Sequence, residues 1–164
     1  MKPLVNRLAL IAYALAALVI GLDQWLKYWV VEVFRLPDRG TAPVAGPLNF
    51  SMVWNRGFSF GILNSDAQWS RWALTVFSIG VAVGVGVWIR RVERPLLAIA
   101  AGFVMGGALG NVIDRVRFGA VVDFIDVSQL HFPWVFNLAD ASINVGVALV
   151  LCDTLFTPRK AAPA

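Results

Sequence analysis

Long apolar runs separated by short polar segments divide the chain into four stretches with the character of membrane spans. Each run is near or slightly below the roughly 20 residues that a helix needs to cross a bilayer. The pattern predicts an all-α membrane protein with transmembrane helices at about residues 8–30, 69–89, 96–113 and 140–156. We expect them to form a single integral membrane domain over residues 1–164.

The first run has a competing interpretation as a cleaved signal peptide, because basic residues precede it. Residues 14–16 (Ala-Leu-Ala) resemble a cleavage site, but the apolar run continues beyond them through residues 18–20. We therefore expect an uncleaved first span.

The segment between the first two runs has a different texture. Proline and glycine recur between residues 37 and 47 and break regular structure. Residues 48–60 are rich in aromatic, β-branched and alternating residues, interrupted at residues 55–57, which predicts a strand, a turn and a strand. We expect a small sheet at the membrane surface, since an open sheet edge does not lie in lipid.

Composition agrees with a membrane protein. The chain is 59% hydrophobic and 15% charged, with mean hydropathy +0.71, whereas soluble domains are about 25% charged. The net charge of +4 does not indicate nucleic-acid binding, because several basic residues flank apolar runs instead of forming a stripe. The one cysteine, Cys152, excludes an intrachain disulfide and any multi-cysteine metal site. It lies in the last apolar run, where we expect it to be an inert packing residue.

The basic residues also predict the orientation in the membrane. With four spans, both termini and the turn near residue 92 lie on the same side. This side carries Lys2, Arg7, Arg90, Arg91, Arg94, Arg159 and Lys160. The positive-inside rule makes it the cytoplasm, so the segments at about 31–68 and 114–139 are extracytoplasmic.

Glycine spacing predicts close helix packing. Gly80 and Gly84 lie four residues apart in one span, and Gly102, Gly106 and Gly110 repeat this spacing in the next. Small residues at such intervals allow helix backbones to approach each other in lipid.

The candidate chemistry is concentrated near the last loop. Asp123 lies in an apolar stretch, where a buried carboxylate needs partners or a shifted pKa. Asp140 is expected to be the first residue or the N-cap of the last span, where a carboxylate accepts backbone N–H groups. We expect Asp114 to pair with Arg115, and Asp126 to be a solvated loop acid.

A second charged pair lies at the end of the first span. Asp23 and Lys27 are four residues apart, so they share a helix face and can pair. Neighbouring aromatic residues fit an interfacial anchor. The functional alternative is a pair that supports a site at this membrane surface.

Four functions can be weighed from these residues. Two carboxylates in a partly dry site share a proton, which is what an aspartic peptidase requires. Asp114, Asp123, Asp126 and Asp140 are alternatively ligands of a metal-dependent membrane phosphotransferase. A carrier is disfavoured because most acids lie at span ends and not near the midplane. Serine catalysis is weaker still, since His131 is the only candidate base.

Five motifs, in order along the chain, resemble those of the lipoprotein (prolipoprotein) signal peptidases, or signal peptidase II. They are Asp23–Gln24 with Lys27, Asn55-x-Gly57-x-x-Phe60, Gly110–Asn111 with Asp114–Arg115, Gly119 with Val122–Phe124, and Phe136–Asn137-x-Ala139–Asp140. The resemblance covers nearly the whole chain. Leu26 and the pair Phe58–Ser59 depart from the family pattern, which leaves the finer shape of the substrate pocket open.

The resemblance implies an aspartic endopeptidase of the bacterial inner membrane that cleaves diacylglyceryl-modified prolipoproteins just before the lipidated cysteine. It implies four membrane helices with a small extracytoplasmic β-cradle and a short interfacial helix. The implied catalytic pair is Asp123 and Asp140, with no metal or other cofactor. Implied substrate-binding or supporting residues are Asn55, Gly57, Asn111, Asp114, Arg115, Asn137, Asp23 and Lys27. Membrane lipids and a globomycin-type inhibitor are the other expected partners, and we expect a monomer.

Overall fold

The computed structural model describes residues 6–57 and 67–156 of the chain. The helices are α1 (Arg7–Tyr28, continued by a π-helical turn, Trp29–Val33), α2 (Leu36–Arg39), α3 (Ala67–Ile89), α4 (Pro95–Phe118) and α5 (Leu138–Phe156). The strands are β1 (Thr41–Ala45), β2 (Leu48–Asn55), β3 (Val121–Asp126) and β4 (Val135–Phe136), with a short 3-10 helix, Ser128–Leu130, before β4. Four helices, α1 with its π-turn, α3, α4 and α5, are long and apolar enough to cross a membrane. The predicted four-span membrane fold with a small sheet is confirmed.

Helix α4 continues five residues beyond the predicted end of the third span. It stops at Gly119, whose left-handed backbone (φ +75°) donates its N–H to the carbonyl oxygen of Arg115. Glycine adopts this conformation without a Cβ penalty. Arg115 and Arg117 lie in the last turn, where their positive charges interact favourably with the negative end of the helix dipole. The extra helical turn carries Asp114 into the interior of the fold.

Helix α4 packs against α1, α3 and α5. A Cβ placed on Gly102 would lie 2.9 Å from the carbonyl oxygen of Ala12 on α1, so glycine is required for this close approach. Gly106 and Gly110 make equally close contacts with α1, which confirms the packing prediction for these three positions. Gly80 and Gly84 have nothing within 4 Å of such a Cβ among the described residues, so the prediction does not hold for them within this chain.

The antiparallel sheet has the order β1-β2-β3-β4. The strand predicted to begin at residue 48 is confirmed as β2, which ends at Asn55 and forms a hairpin with β1, the strand before it in the chain. The hairpin turns at Gly46, which has φ +52°, and Pro47. Pro43 is tolerated because β1 is an edge strand. The second strand predicted beyond residue 57 lies outside the described residues.

An aromatic cluster attaches the sheet to the end of α1. Trp29 stacks on Phe34, with ring centroids 5.2 Å apart, and Phe50 contacts Phe124 edge-on at 5.7 Å. Buried Val122 belongs to the same cluster. Apolar packing in this cluster therefore fixes β3, the strand that carries Asp123.

Polar contacts join the helices at the opposite end of the bundle. Asn6 caps α1 and donates to the carbonyl oxygen of Val92 at 3.0 Å. Arg94 pairs with Asp153 at 2.6 Å. Cys152 is exposed on α5, so its expected role in packing is wrong.

Candidate active site

Asp123 is a buried carboxylate on β3, with 1% of its surface exposed. Its Oδ1 accepts a hydrogen bond from Nδ2 of Asn137 at 2.7 Å. Its Oδ2 accepts one from Nδ2 of Asn55 at 3.0 Å. Both partners are neutral amides, so they orient the carboxylate without neutralising it.

Asp140 lies in the first turn of α5 and forms a reciprocal cap with Asn137. Oδ1 of Asn137 accepts the N–H of Asp140 at 2.9 Å, and Oδ2 of Asp140 accepts the N–H of Asn137 at 3.4 Å. Asn137 therefore holds the capping position. Asp140, expected to be the cap or the first helical residue, is the third helical residue and lies in the first turn. Oδ1 of Asp140 is left to accept from Nδ2 of Asn111 at 2.7 Å.

Two asparagines connect the two aspartates. Besides its bond to Asp123, Nδ2 of Asn137 donates to Oδ1 of Asn111 at 3.1 Å. Asn111 in turn donates to Asp140, so a continuous chain of side-chain amides runs between the two carboxylates. Asn111 and Asn137 are both buried, which makes this chain a rigid part of the site.

A buried ion cluster lies behind the asparagines. Lys27 contacts Oδ2 of Asp23 at 2.8 Å and Oδ2 of Asp114 at 2.7 Å. The predicted pairing of Asp23 with Lys27 is confirmed, whereas the pairing of Asp114 with Arg115 was wrong. Adjacent residues on a helix do not face each other, and Arg115 instead donates to the carbonyl oxygen of Asn111 at 3.5 Å.

Asp126 is also placed differently from the prediction. It is buried, not solvated, and accepts bonds from the hydroxyl of Ser51 at 2.6 Å and the N–H of Ser128 at 2.9 Å. These bonds, chiefly that from Ser51, lower the pKa of its carboxyl.

Asp114 and Asp126 are thus engaged elsewhere, and the residues described bring together no three His, Cys, Asp or Glu side chains as a metal site. This geometry disfavours the phosphotransferase. His131 is exposed, on the turn after the 3-10 helix.

The electrostatics of the two aspartates are coupled. Burial, reinforced by the nearby charge of Asp140, raises the pKa of Asp123 to about 7. The charge of Arg115 interacts favourably with both carboxylates. At neutral pH the two carboxyls can therefore share one proton, so that one acts as an acid and the other as a base.

Asn55 and Gly57 lie at the end of β2. Oδ1 of Asn55 accepts the N–H of Gly57 at 3.1 Å, which orients its amide toward Asp123. Gly57 has φ +114°, and a Cβ there would collide with the hydroxyl of Ser70. Only glycine fits this position without strain.

Gln24 lies in the first of the five motifs, but the sequence assigned it no role. Its Nε2 donates to Oδ1 of Asp114 at 2.8 Å and to the carbonyl oxygen of Gly110 at 3.2 Å. Its Oε1 accepts from Arg117 at 3.4 Å. The motif could not reveal this role, because these partners lie on α4, far along the chain.

Comparisons with known proteins show the family to which the chain belongs. The model of the signal peptidase II family matches residues 15–156. The lipoprotein signal peptidase of Caulobacter vibrioides is 49% identical over 157 residues, which cover 95% of this chain and 93% of that protein. That of Methylorubrum extorquens is 41% identical over 150 residues, which cover 88% and 85% of the two chains.

Solved structures show the same fold. A bacterial membrane enzyme determined at 1.9 Å resolution has a TM-score of 0.76 and 29% identity, covering 90% of this chain and 94% of that one. A second, determined at 2.3 Å, has a TM-score of 0.73 and 28% identity, covering 93% and 94%. With four membrane helices and a family match over most of its length, this chain belongs to the signal peptidase II family.

Proposed function

We propose that this protein is an aspartic-type lipoprotein signal peptidase. Its substrate is a prolipoprotein that carries a diacylglyceryl group, and the bond cut lies just before the lipidated cysteine. The observation that carries the proposal is the pair Asp123 and Asp140, linked by buried amides at one end of the membrane helices and electrostatically coupled. Family membership supports the substrate class.

The two carboxyls have different roles in the proposed mechanism. Asp123 keeps the shared proton, since its pKa is about 7, and donates it toward the oxygen of the scissile carbonyl. Asp140 acts as the base and takes a proton from water as the water oxygen attacks the carbonyl carbon. Collapse of the tetrahedral intermediate breaks the carbon–nitrogen bond. The proton held by Asp140 passes to the leaving amine, and the former carbonyl oxygen returns its proton to Asp123, which regenerates the pair.

The remaining site residues form two groups in this proposal. The substrate around Asp123 contacts Asn55, which is exposed, and Gly57 and Arg115, which are partly exposed. Asn111 and Asn137 orient the pair Asp123 and Asp140, which we call the dyad. The ion cluster of Asp23, Lys27 and Asp114 lies behind these asparagines. The dyad uses no metal, and a globomycin-type inhibitor is expected to occupy the same site.

The charge pattern supports a location in the bacterial inner membrane with both termini cytoplasmic. The dyad then faces the extracytoplasmic surface. A lipidated substrate would lie with its acyl chains in the bilayer and its scissile bond at headgroup depth. We propose that one chain, acting as a monomer, suffices.

The test is a gel-shift assay with purified protein and a diacylglyceryl-modified prolipoprotein, with and without chelator. We expect loss of the signal peptide that chelator leaves unchanged and that globomycin blocks. Asp123→Asn and Asp140→Asn should each abolish it while the protein stays folded. Retained cleavage in both variants contradicts the dyad, and loss of cleavage in chelator favours a metal mechanism.

A further inference from the structure

Two buried carboxylates outside the dyad each hold one peptide N–H beside it. Oδ2 of Asp114 accepts the N–H of Val122, the residue immediately before the first dyad aspartate, at 3.0 Å. Oδ1 of Asp23 accepts the N–H of Ala139, immediately before the second, at 3.0 Å. Each dyad aspartate therefore follows a peptide group that is fixed by a charged acceptor.

Lys27 ties the two acceptors together. Its ammonium contacts Asp23 at 2.8 Å and Asp114 at 2.7 Å, and donates to Oδ1 of Asn111 at 3.3 Å. These contacts use all three donors of the group. Because Asn111 donates to Asp140 at 2.7 Å, one ammonium is linked to the dyad by three routes.

Burial makes this arrangement stiff. Lys27 is 2% exposed, and Asp23 and Asp114 are 0% exposed. Charges attract strongly where water is excluded. The bonds span α1, α4, β3 and α5, which include the two elements that carry the dyad.

We propose that Lys27 is a positioning residue, which sets the placement of the two dyad aspartates relative to each other through Asp23 and Asp114. The inference rests on the proposed function. It goes further because it assigns Lys27 a role in placing Asp123 and Asp140, in addition to any contribution to the stability of the fold.

The test compares Lys27→Met with a triple variant in which all three side chains are uncharged, Asp23→Asn/Lys27→Met/Asp114→Asn. The triple variant keeps an amide oxygen for each peptide N–H, but it has no ammonium to join the two sides and no unpaired carboxylates. We expect Lys27→Met to lower kcat about 100-fold with KM changed by less than about threefold, the consequence of a misplaced reacting group. The triple variant should recover the Tm of the wild type but not its kcat.

The matched control is Arg94→Met/Asp153→Asn, which removes the ion pair at the opposite end of the bundle. It should lower Tm and leave kcat at the wild-type value. Recovery of kcat in the triple variant would reduce Lys27 to a neutralising charge and overturn the inference. An equal loss of kcat in the control would do the same.

Amide hydrogen exchange gives a second readout if Lys27→Met folds poorly. We expect exchange of the Val122 and Ala139 amides to accelerate about tenfold in the triple variant, because their acceptors are no longer held. Unchanged exchange at both amides overturns the inference. A wild type that cuts no substrate rejects the proposed function itself, whereas an active wild type matched by Lys27→Met rejects only the positioning role.

Discussion

The side-chain amide of Asn137 donates a 2.7 Å hydrogen bond to the carboxylate of Asp123. The same residue caps α5 through the N–H of Asp140, so one asparagine fixes both members of the dyad. A side chain with separate donor and acceptor atoms is needed for this, and aspartate in its place would present only acceptors to Asp123.

Replacement of Asn137 by alanine should lower kcat by about 100-fold with little change in KM, because Asp123 loses the donor that orients it. Loss of the cap should also cost about 1 kcal/mol of stability. Steady-state cleavage and thermal unfolding of the purified variant measure the two effects.

Asn6→Ala is the matched control for this prediction. Asn6 caps α1 by accepting the N–H of Ala9 at 2.7 Å, far along the chain from the dyad and at the other end of the bundle. Its loss should lower Tm comparably and leave kcat unchanged. If both variants lose the same activity, the Asn137 effect is one of stability and not of orientation.

The pH dependence of cleavage should report the proton on Asp123. Because its pKa is about 7, raising the pH further removes the acid of the dyad, and kcat/KM should fall about tenfold per pH unit. Asn55→Ala should move this fall in kcat/KM, the alkaline limb of the profile, to higher pH, since the bond from Asn55 favours the ionised form of Asp123. Ser51→Ala, which contacts Asp126 instead, should leave the limb in place. A wild-type profile that is flat to pH 9 contradicts the assignment.

Thermal stability should depend on the same proton. Folding raises the pKa of Asp123 from 3.8 to about 7, so the folded state binds the proton more tightly than the unfolded state between these values. Stability therefore falls as the pH rises through this window. Asp123→Asn removes the titrating group, and its Tm should fall less steeply from pH 4 to 7 than that of the wild type. Equal slopes of Tm against pH in the two proteins would mean that a group other than Asp123 has the raised pKa.

The sequence was sufficient to predict what depends on local pattern. Run length and apolar content located the four membrane helices, and the four-residue spacing of Asp23 and Lys27 was enough to predict their contact. The burial of Asp123 also followed from its apolar neighbours in the chain.

Contacts between distant segments were not predictable in this way. The partner of Asp114 is Lys27 on another helix, whereas adjacency in the chain suggested Arg115. The carboxyl of Asp126 is buried because Ser51 on β2 lies beside it, and no local sequence pattern predicts that contact. Prolines obscured the β1–β2 hairpin, since an edge strand tolerates them and a central strand does not.

Glycines with the same spacing should differ sharply when replaced. Gly106→Ala would place a Cβ 2.6 Å from that of Val19 and 2.9 Å from the carbonyl oxygen of Ala16, and backbone cannot yield cheaply. We expect a loss of about 1–3 kcal/mol, the usual cost of overpacking, seen as a lower Tm in detergent. Gly84→Ala is the control: it meets nothing within 4 Å, and should be neutral or stabilise α3 by up to about 1 kcal/mol through helix propensity. A loss at Gly84 equal to that at Gly106 would mean that this face of α3 also packs closely, against a second chain.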